Sequence, residues 1–303
     1  MPKAAPRICV SVCCAFIAAI FLLVHNNYHI FPAIIQSHAL MQRNGSIAHH
    51  YAIATIVLTQ SYQDTAMALC MSIRSSLAED GLPSDVDLVA YVPENAHQRS
   101  IDPSLLRCCF SRVHTLPLIH VSRPPSYERF MEQYIKLNLW RQTEYRRMVY
   151  MDADFVVVRV NALLDLLRNA PIAFGAVQDW FEGKWSDHWN GGLFLLEPSN
   201  DTFDALLSDV EPFIQQQRFN TDWAEQGYLS AYFDHLGFTL PTTYNLNLAI
   251  KYQAPDVWDL YADEAIAIHY TLVKPWEHPE DRESFPASLW WANHEHTKVI
   301  CKQ

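Results

Sequence analysis

Glycine is scarce in this chain, with eight residues in 303. No Gly-x-Gly-x-x-Gly run and no P-loop appears, so a bound diphosphate has no ready-made cradle of backbone amides. A cation and lysine or arginine side chains would have to neutralise it instead. Basic residues are also in deficit, 22 against 33 acidic ones, for a formal net charge of −11. That balance argues against a nucleic-acid partner, which would select a basic face. The body has no Pro/Gly/Ser-rich linker, internal repeat or low-complexity tract, and so no visible division into two domains. Zinc-ligand spacing is missing among the cysteines. Cys70, Cys108, Cys109 and Cys301 permit up to two disulfides without requiring any.

What is abundant is apolar surface. Half the residues are hydrophobic and 13% are aromatic, enough for a sizeable core and too much for a disordered chain. Residues 8–24 form a nearly unbroken apolar run preceded by Lys3 and Arg7. Its length is at the lower limit of a membrane span, and the basic flank predicts a cytosolic N-terminus. Residues 25–29 offer no small-residue cleavage site, so an uncleaved signal-anchor is preferred over a cleaved signal peptide. The expected layout is a cytosolic tail (1–7), a transmembrane helix (8–24), a stem (25–50) and a catalytic body (51–303). With a lumenal body, the sequons at Asn44 and Asn200 become usable.

Within the body, β-prone runs alternate with helical periods. Strands are expected at 51–58, 87–92, 113–116, 147–151, 173–177, 193–196 and 265–269, and helices at 65–77, 127–145, 161–167 and 201–207. Strand–helix alternation implies an α/β fold with a mixed, mostly parallel sheet and right-handed crossovers. Residues 180–189 read as a polar segment carrying three tryptophans, able to stack on sugar faces. The last 25 or so residues show no clear period, so His294-Glu295-His296 reads as a solvated tail.

The apolar run 147–151 reaches Asp152-Ala153-Asp154, two carboxylates one residue apart. Ligands in open α/β sheets sit beyond the carboxyl ends of the strands. Two hard oxygen ligands there suit Mg²⁺ or Mn²⁺, which pair carboxylates with substrate phosphates. A solvated strand-ending turn is the alternative. Asn190-Gly191-Gly192 likewise reads in two ways, as a close backbone approach to a ligand or as a hairpin turn into the next strand.

The order of motifs from about residue 53 to 276 resembles the family 8 glycosyltransferases, the group that contains glycogenin and galactinol synthase. Its elements here are Leu58-Thr59 with Tyr62, Lys136, Asp152-Ala153-Asp154, Asn190-Gly191-Gly192, Glu225-Gln226-Gly227, Tyr244-Asn245, and His269 with Lys274-Pro275-Trp276. The resemblance implies a GT-A-type fold that binds a UDP-sugar with Mn²⁺ (or Mg²⁺) and transfers the sugar with retained configuration. It makes Asp152, Asp154 and His269 the metal ligands. It makes Leu58, Thr59, Tyr62, Lys136, Ala153, Asn190, Gly191, Gly192 and Lys274 nucleotide-sugar contacts, with Asp222, Glu225 and Gln226 around the reacting carbon. The chain departs from the family in places. Glu225 stands where an Asp is usual, and only Tyr-Thr-Leu-Val separates His269 from Lys274, one residue fewer than in glycogenin and without its glycine. Tyr252 falls where glycogenin carries its self-glucosylated tyrosine. The implied setting is a Golgi or ER membrane, with a glycan, glycolipid or glycoprotein acceptor. A self-glucosylating primer and a non-catalytic sugar-binding protein are the alternatives.

Overall fold

The computed structural model describes residues 50–77 and 81–301. The apolar run 8–24, most of the stem and the Asn44 sequon lie outside the described residues. Strand β1 (Tyr51–Ile56) is buried at all six positions, as a central strand covered on both faces must be. It lies parallel between β2 (Val86–Pro93) and β4 (Arg147–Met151), and β3 (Arg112–Leu116) continues the parallel set beyond β2. Helices α1 (Gln63–Ser75) and α2 (Pro103–Leu106) make the crossovers on one side. After β4 come β5 (Phe155–Val157) and α3 (Val160–Asn169), then β6 (Phe174–Phe181) and β7 (Lys184–Leu196).

Helices α4 (Asn200–Gln215) and α5 (Ala224–Tyr232) precede the short strands β8 (Phe238–Leu240) and β9 (Leu246–Asn247). Helices α6 (Leu248–Gln253) and α7 (Pro255–Ala262), strand β10 (Ala267–His269) and helix α8 (Ala287–Cys301) complete the chain order. The main sheet runs β3-β2-β1-β4-β7-β6-β8. Strand β7 is antiparallel to β4 and to β6, and the other pairs are parallel, which bears out the mixed, mostly parallel sheet.

Alternation along the strands divides the core. Ile53, Val149 and Met151 face a cluster built with Leu69, Ile73, Leu163 and Leu167 from α1 and α3. Ala52, Ala54, Met148 and Tyr150 face the opposite layer, with Trp140, Leu206, Val210 and Tyr228. A second, three-stranded sheet, β5-β10-β9, was not expected. Asp152, Ala153 and Asp154 carry the chain directly from the central strand of the large sheet into the edge of the small one.

Three expectations are corrected. The stretch 127–145 is not one amphipathic α-helix but two 3₁₀ segments, Glu128–Phe130 and Gln133–Arg141. Residues 134–140 are buried without a break, Lys136 and Asn138 included. The Asn138 amide donates to the Ile135 and Pro117 carbonyls, competing for the helix's own acceptor. The tryptophan-bearing segment 180–189 is a hairpin rather than a loop. Its turn is Glu182-Gly183, with both φ positive at 51° and 78°, so Asn190-Gly191-Gly192 lie inside β7 and not at a turn. Finally, 287–301 is helical. Its buried stripe is Trp290, His294 and Thr297, polar enough to hide the period, and His294 is packed rather than solvated. The four body cysteines pair as Cys70–Cys109 and Cys108–Cys301, tying α1 and α8 to the end of α2.

Candidate active site

Register brings the site together. Met151 ends β4 opposite Leu193 of β7, so Asp152 lies beside Gly192, whose carbonyl accepts from the Asp152 amide at 2.8 Å. Phe155 opens β5 opposite His269, the last residue of β10, and the two rings stack at 4.1 Å. Two sheets thus deliver two carboxylates and one imidazole to a single point. One ligand atom from each of Asp152, Asp154 and His269 lies within 4.8 Å of the others.

Asp154 is the buried carboxylate of the set. Its Oδ2 accepts from the Lys274 ammonium. Its Oδ1 is buried and has no hydrogen bond, although His269 Nε2 stands 3.3 Å away. Burial alone would raise the Asp154 pKa, but the Lys274 and His269 charges outweigh it and hold the carboxyl well below its usual range. Asn245 Oδ1 lies 3.1 Å from His269 Nδ1, which leaves Nε2 toward the carboxylates, the arrangement that orients a metal-binding imidazole. An unsatisfied buried oxygen beside a second carboxylate and a fixed imidazole fits a divalent cation.

Lys136 is wholly buried in the 3₁₀ segment. Its Nζ meets Asp152 Oδ1 at 2.9 Å, Glu225 Oε1 at 2.7 Å and the Gly191 carbonyl at 3.0 Å. Burial would lower its pKa, but the two carboxylates reverse this and keep it above the ordinary lysine value. Burial pushes the Glu225 carboxyl up against the opposing pull of Lys136. The Tyr150 hydroxyl donates to Asp152 Oδ1 at 2.5 Å, and burial raises the phenol far above its usual range.

A second network completes the floor. Asp179, near the end of β6, accepts from Asn190 Nδ2 at 2.7 Å and from Gln226 Nε2 at 2.9 Å. Gln226 Oε1 accepts from the Gly191 amide at 2.8 Å, and Asn190 Oδ1 takes both the Gly192 amide and Asn245 Nδ2. Sequence reasoning missed Asp179 altogether. A carboxylate in a largely apolar strand, next to Gln178, was the one available signal. The two glycines are required by the protein itself. A Cβ on Gly192 would lie 2.3 Å from the His269 ring, and one on Gly191 would lie 2.8 Å from Glu225 Oε1. Ala224, just before Glu225, is held at φ 49°, a strained setting for a residue with a side chain.

These groups border one cavity of about 730 Å³, within the range of small-molecule sites. The residues expected to hold metal or nucleotide-sugar, and Asp222, Glu225 and Gln226, line it, whereas Tyr244, Asn245, Tyr252 and Trp276 do not. Arg99 supports that wall by donating to the Leu58 carbonyl while its fork holds Glu132 at 2.6 Å on both arms. Asp222 is on the rim, half exposed, accepting from the Ser126 amide at 2.8 Å. Around it Trp223 stacks on His188 at 3.6 Å and meets Phe181 edge-on.

A mixed sheet whose central strand ends in Asp-x-Asp over such a cavity is the build of a GT-A-type glycosyltransferase. The chain belongs to glycosyltransferase family 8: the sequence profile "Glycosyl transferase family 8" matches residues 46–279. It is 27% identical over 251 residues to a glycogenin from Neurospora crassa, covering 79% of this chain and 34% of that protein. It is 29% identical over 213 residues to galactinol synthase 6 of Arabidopsis thaliana, covering 57% of this chain and 60% of that one. The chain therefore spans from about a third to three fifths of the length of these relatives. Its fold is similar to that of the galactosyltransferase LgtC, solved with donor and acceptor sugar analogues, with a TM-score of 0.55 at 13% identity, covering 81% of this chain and 95% of that one.

Proposed function

We propose that the chain transfers a hexose from a UDP-sugar to a glycan, glycolipid or glycoprotein acceptor, with retention of configuration. The observation that carries the reading is the buried Asp154 oxygen without a hydrogen bond, grouped with Asp152 and His269 at the floor of the cavity. Asp152, Asp154 and His269 would hold Mn²⁺, or Mg²⁺ in its place, and the cation supplies the positive charge that binds the diphosphate and stabilises it as a leaving group. Lys274 adds a second charge on the diphosphate as a point cation. Leu58, Thr59 and Tyr62 form the wall for the uracil, and the Asp179–Asn190–Gln226 network holds sugar hydroxyls. Relatives named for galactinol synthesis and a fold-mate named as a galactosyltransferase support a hexose donor.

Glu225 is 3% exposed and committed to Lys136, so it serves as a fixed countercharge and not as a nucleophile. With Glu225 so committed, we read the transfer as front-side. The acceptor oxygen bonds to the anomeric carbon as the bond to the phosphate oxygen breaks, and the acceptor proton passes to that phosphate.

We further place residues 1–7 in the cytosol, 8–24 in a Golgi or ER membrane, 25–50 in a stem and 51–303 in the lumen. Two disulfides suit an oxidising compartment. Asn200 of the Asn-Asp-Thr sequon is exposed at the first turn of α4, able to carry a glycan there. The test is Mn²⁺-dependent hydrolysis of a panel of UDP-sugars by the fragment from residue 45. Asp154→Asn should lower turnover by about 10³-fold while remaining folded. Unchanged turnover in that variant refutes the assignment. Glycosidase-sensitive glycan on Asn200 in the full chain tests the topology.

A further inference from the structure

The family match ends at residue 279, yet the segment that carries Lys274 is held from beyond it. Helix α8 and the residue leading into it make that contact in two places. The Trp290 ring, 2% exposed, packs on Trp276 with centroids 5.3 Å apart. The Tyr270 hydroxyl donates to the Pro286 carbonyl, just before α8, at 2.7 Å. Trp276 in turn meets Tyr62 edge-on at 5.9 Å and lies 5.8 Å from the Lys274 ammonium. The Tyr270 carbonyl accepts from that same ammonium. Residues 270–276 are thus pinned at one end to α8 and at the other to the residue that leads into it.

That helix is itself anchored. Thr297 Oγ1 donates to the Met67 carbonyl of α1 at 3.5 Å, and Ser75 meets His296 at 3.3 Å. At its far end Cys301 is bonded to Cys108, closing a separation of 193 residues. A covalent tie of that span restrains the opening of α8 whatever the local packing.

We propose that α8, latched by Cys108–Cys301, positions Lys274 for the donor diphosphate, with Trp290 as the positioning residue. The inference rests on the donor reading above. Trp290 touches no substrate and works through Trp276, so its loss should weaken donor binding and spare the chemical step.

The experiment measures UDP binding in the presence of Mn²⁺ by calorimetry, together with the kcat and KM split for donor hydrolysis. The proteins are the wild type, Trp290→Ala, Trp290→Phe and the double variant Cys108→Ser/Cys301→Ser. The double variant leaves Cys70–Cys109 intact and removes no core volume, so it decides the question where Trp290→Ala does not fold. The expected result is an increase in UDP Kd and donor KM of about tenfold for Trp290→Ala and about threefold for the double variant, with kcat within about twofold. Trp290→Phe, which keeps an aromatic face, should restore most of the affinity. Folded variants with unchanged Kd, or a fall in kcat at constant Kd, overturn the proposal. Wild-type protein that binds no UDP overturns the donor reading and this inference with it, which distinguishes the two failures.

Discussion

The two halves of the cavity floor are built on opposite principles. The half around Asp152, Asp154, His269, Lys136 and Lys274 is a set of charges pressed together, and it leaves one buried oxygen without a hydrogen bond. In the half around Asp179, Asn190, Asn245 and Gln226, amides and a carboxylate satisfy one another. A buried charge cluster with an open valence stores affinity for an incoming ion. A satisfied network is stiff, and presents the same polar edges before and after a ligand arrives. The first half is suited to a group that changes charge during reaction, and the second to one that must only be held.

That contrast can be broken in a graded way. The largest effect should come from Lys136→Met, which leaves Asp152 and Glu225 facing each other without a counterion. Denaturant unfolding should show a loss of about 3–5 kcal/mol, partly recovered when Glu225→Gln is added. No recovery would mean that the lysine acts by packing alone. In the other half, Asp179→Asn turns an acceptor into a donor against the Asn190 or Gln226 amide. It should cost about 1–3 kcal/mol of stability and lower kcat/KM by about 10²-fold. Steady-state kinetics with wild-type turnover would show that the network is only structural.

A smaller effect is expected at Ala224, where Gly accepts φ 49° without strain. Ala224→Gly should leave stability unchanged or raise it by up to about 1 kcal/mol while lowering turnover through a looser Glu225. A lower melting temperature together with full activity would contradict this. The smallest effect is at the N-terminal end of β2, away from the cavity, which serves as a control. Asp87 Oδ2 takes His50 at 2.7 Å, Arg112 at 2.5 Å and Tyr145 at 3.2 Å. Burial pushes the Asp87 pKa up, but His50 and Arg112 more than offset this and leave it lowered. A carboxyl lowered by folding contributes stability above its unfolded pKa of about 3.9 and loses it as pH falls through the folded value. The melting gap between wild type and Asp87→Asn should therefore be full at pH 7, narrow as pH falls below about 4 and close only below the lowered folded value. A gap that does not narrow as the pH falls would assign the effect to shape.

The central strands were legible because a parallel strand covered on both faces is a continuous apolar run, as in 51–56 and 147–151. The Asp-x-Asp stood out for the same reason, being charge at the end of such a run. Strand β10 was expected at 265–269, but β9 is only two residues long and carries no periodic signal, and the pairing of Phe155 with His269 is not written in either segment, so the small sheet was invisible. Asp179 escaped because its partners are 11 and 47 residues away. The 127–145 stretch misled because apolar spacing does not reveal that Lys136 and Asn138 are buried too. Gly191 and Gly192 stood out in the sequence, but the space they leave is filled by Glu225 and His269 rather than kept for a ligand alone.

Only three residues separate β4 of the large sheet from β5 of the small one, and two of them are the aspartates. The linkage has a mechanical consequence. A ligand gripping Asp152 and Asp154 on one side and His269 on the other becomes a cross-brace between two sheets that otherwise meet through side-chain packing. Its binding free energy adds to the resistance of the small sheet to local opening, by RT ln(1 + [L]/Kd). Amide exchange in β5, β9 and β10 should therefore slow on ligation far more than exchange in β2 or β3, making the small sheet a gauge of occupancy read without turnover.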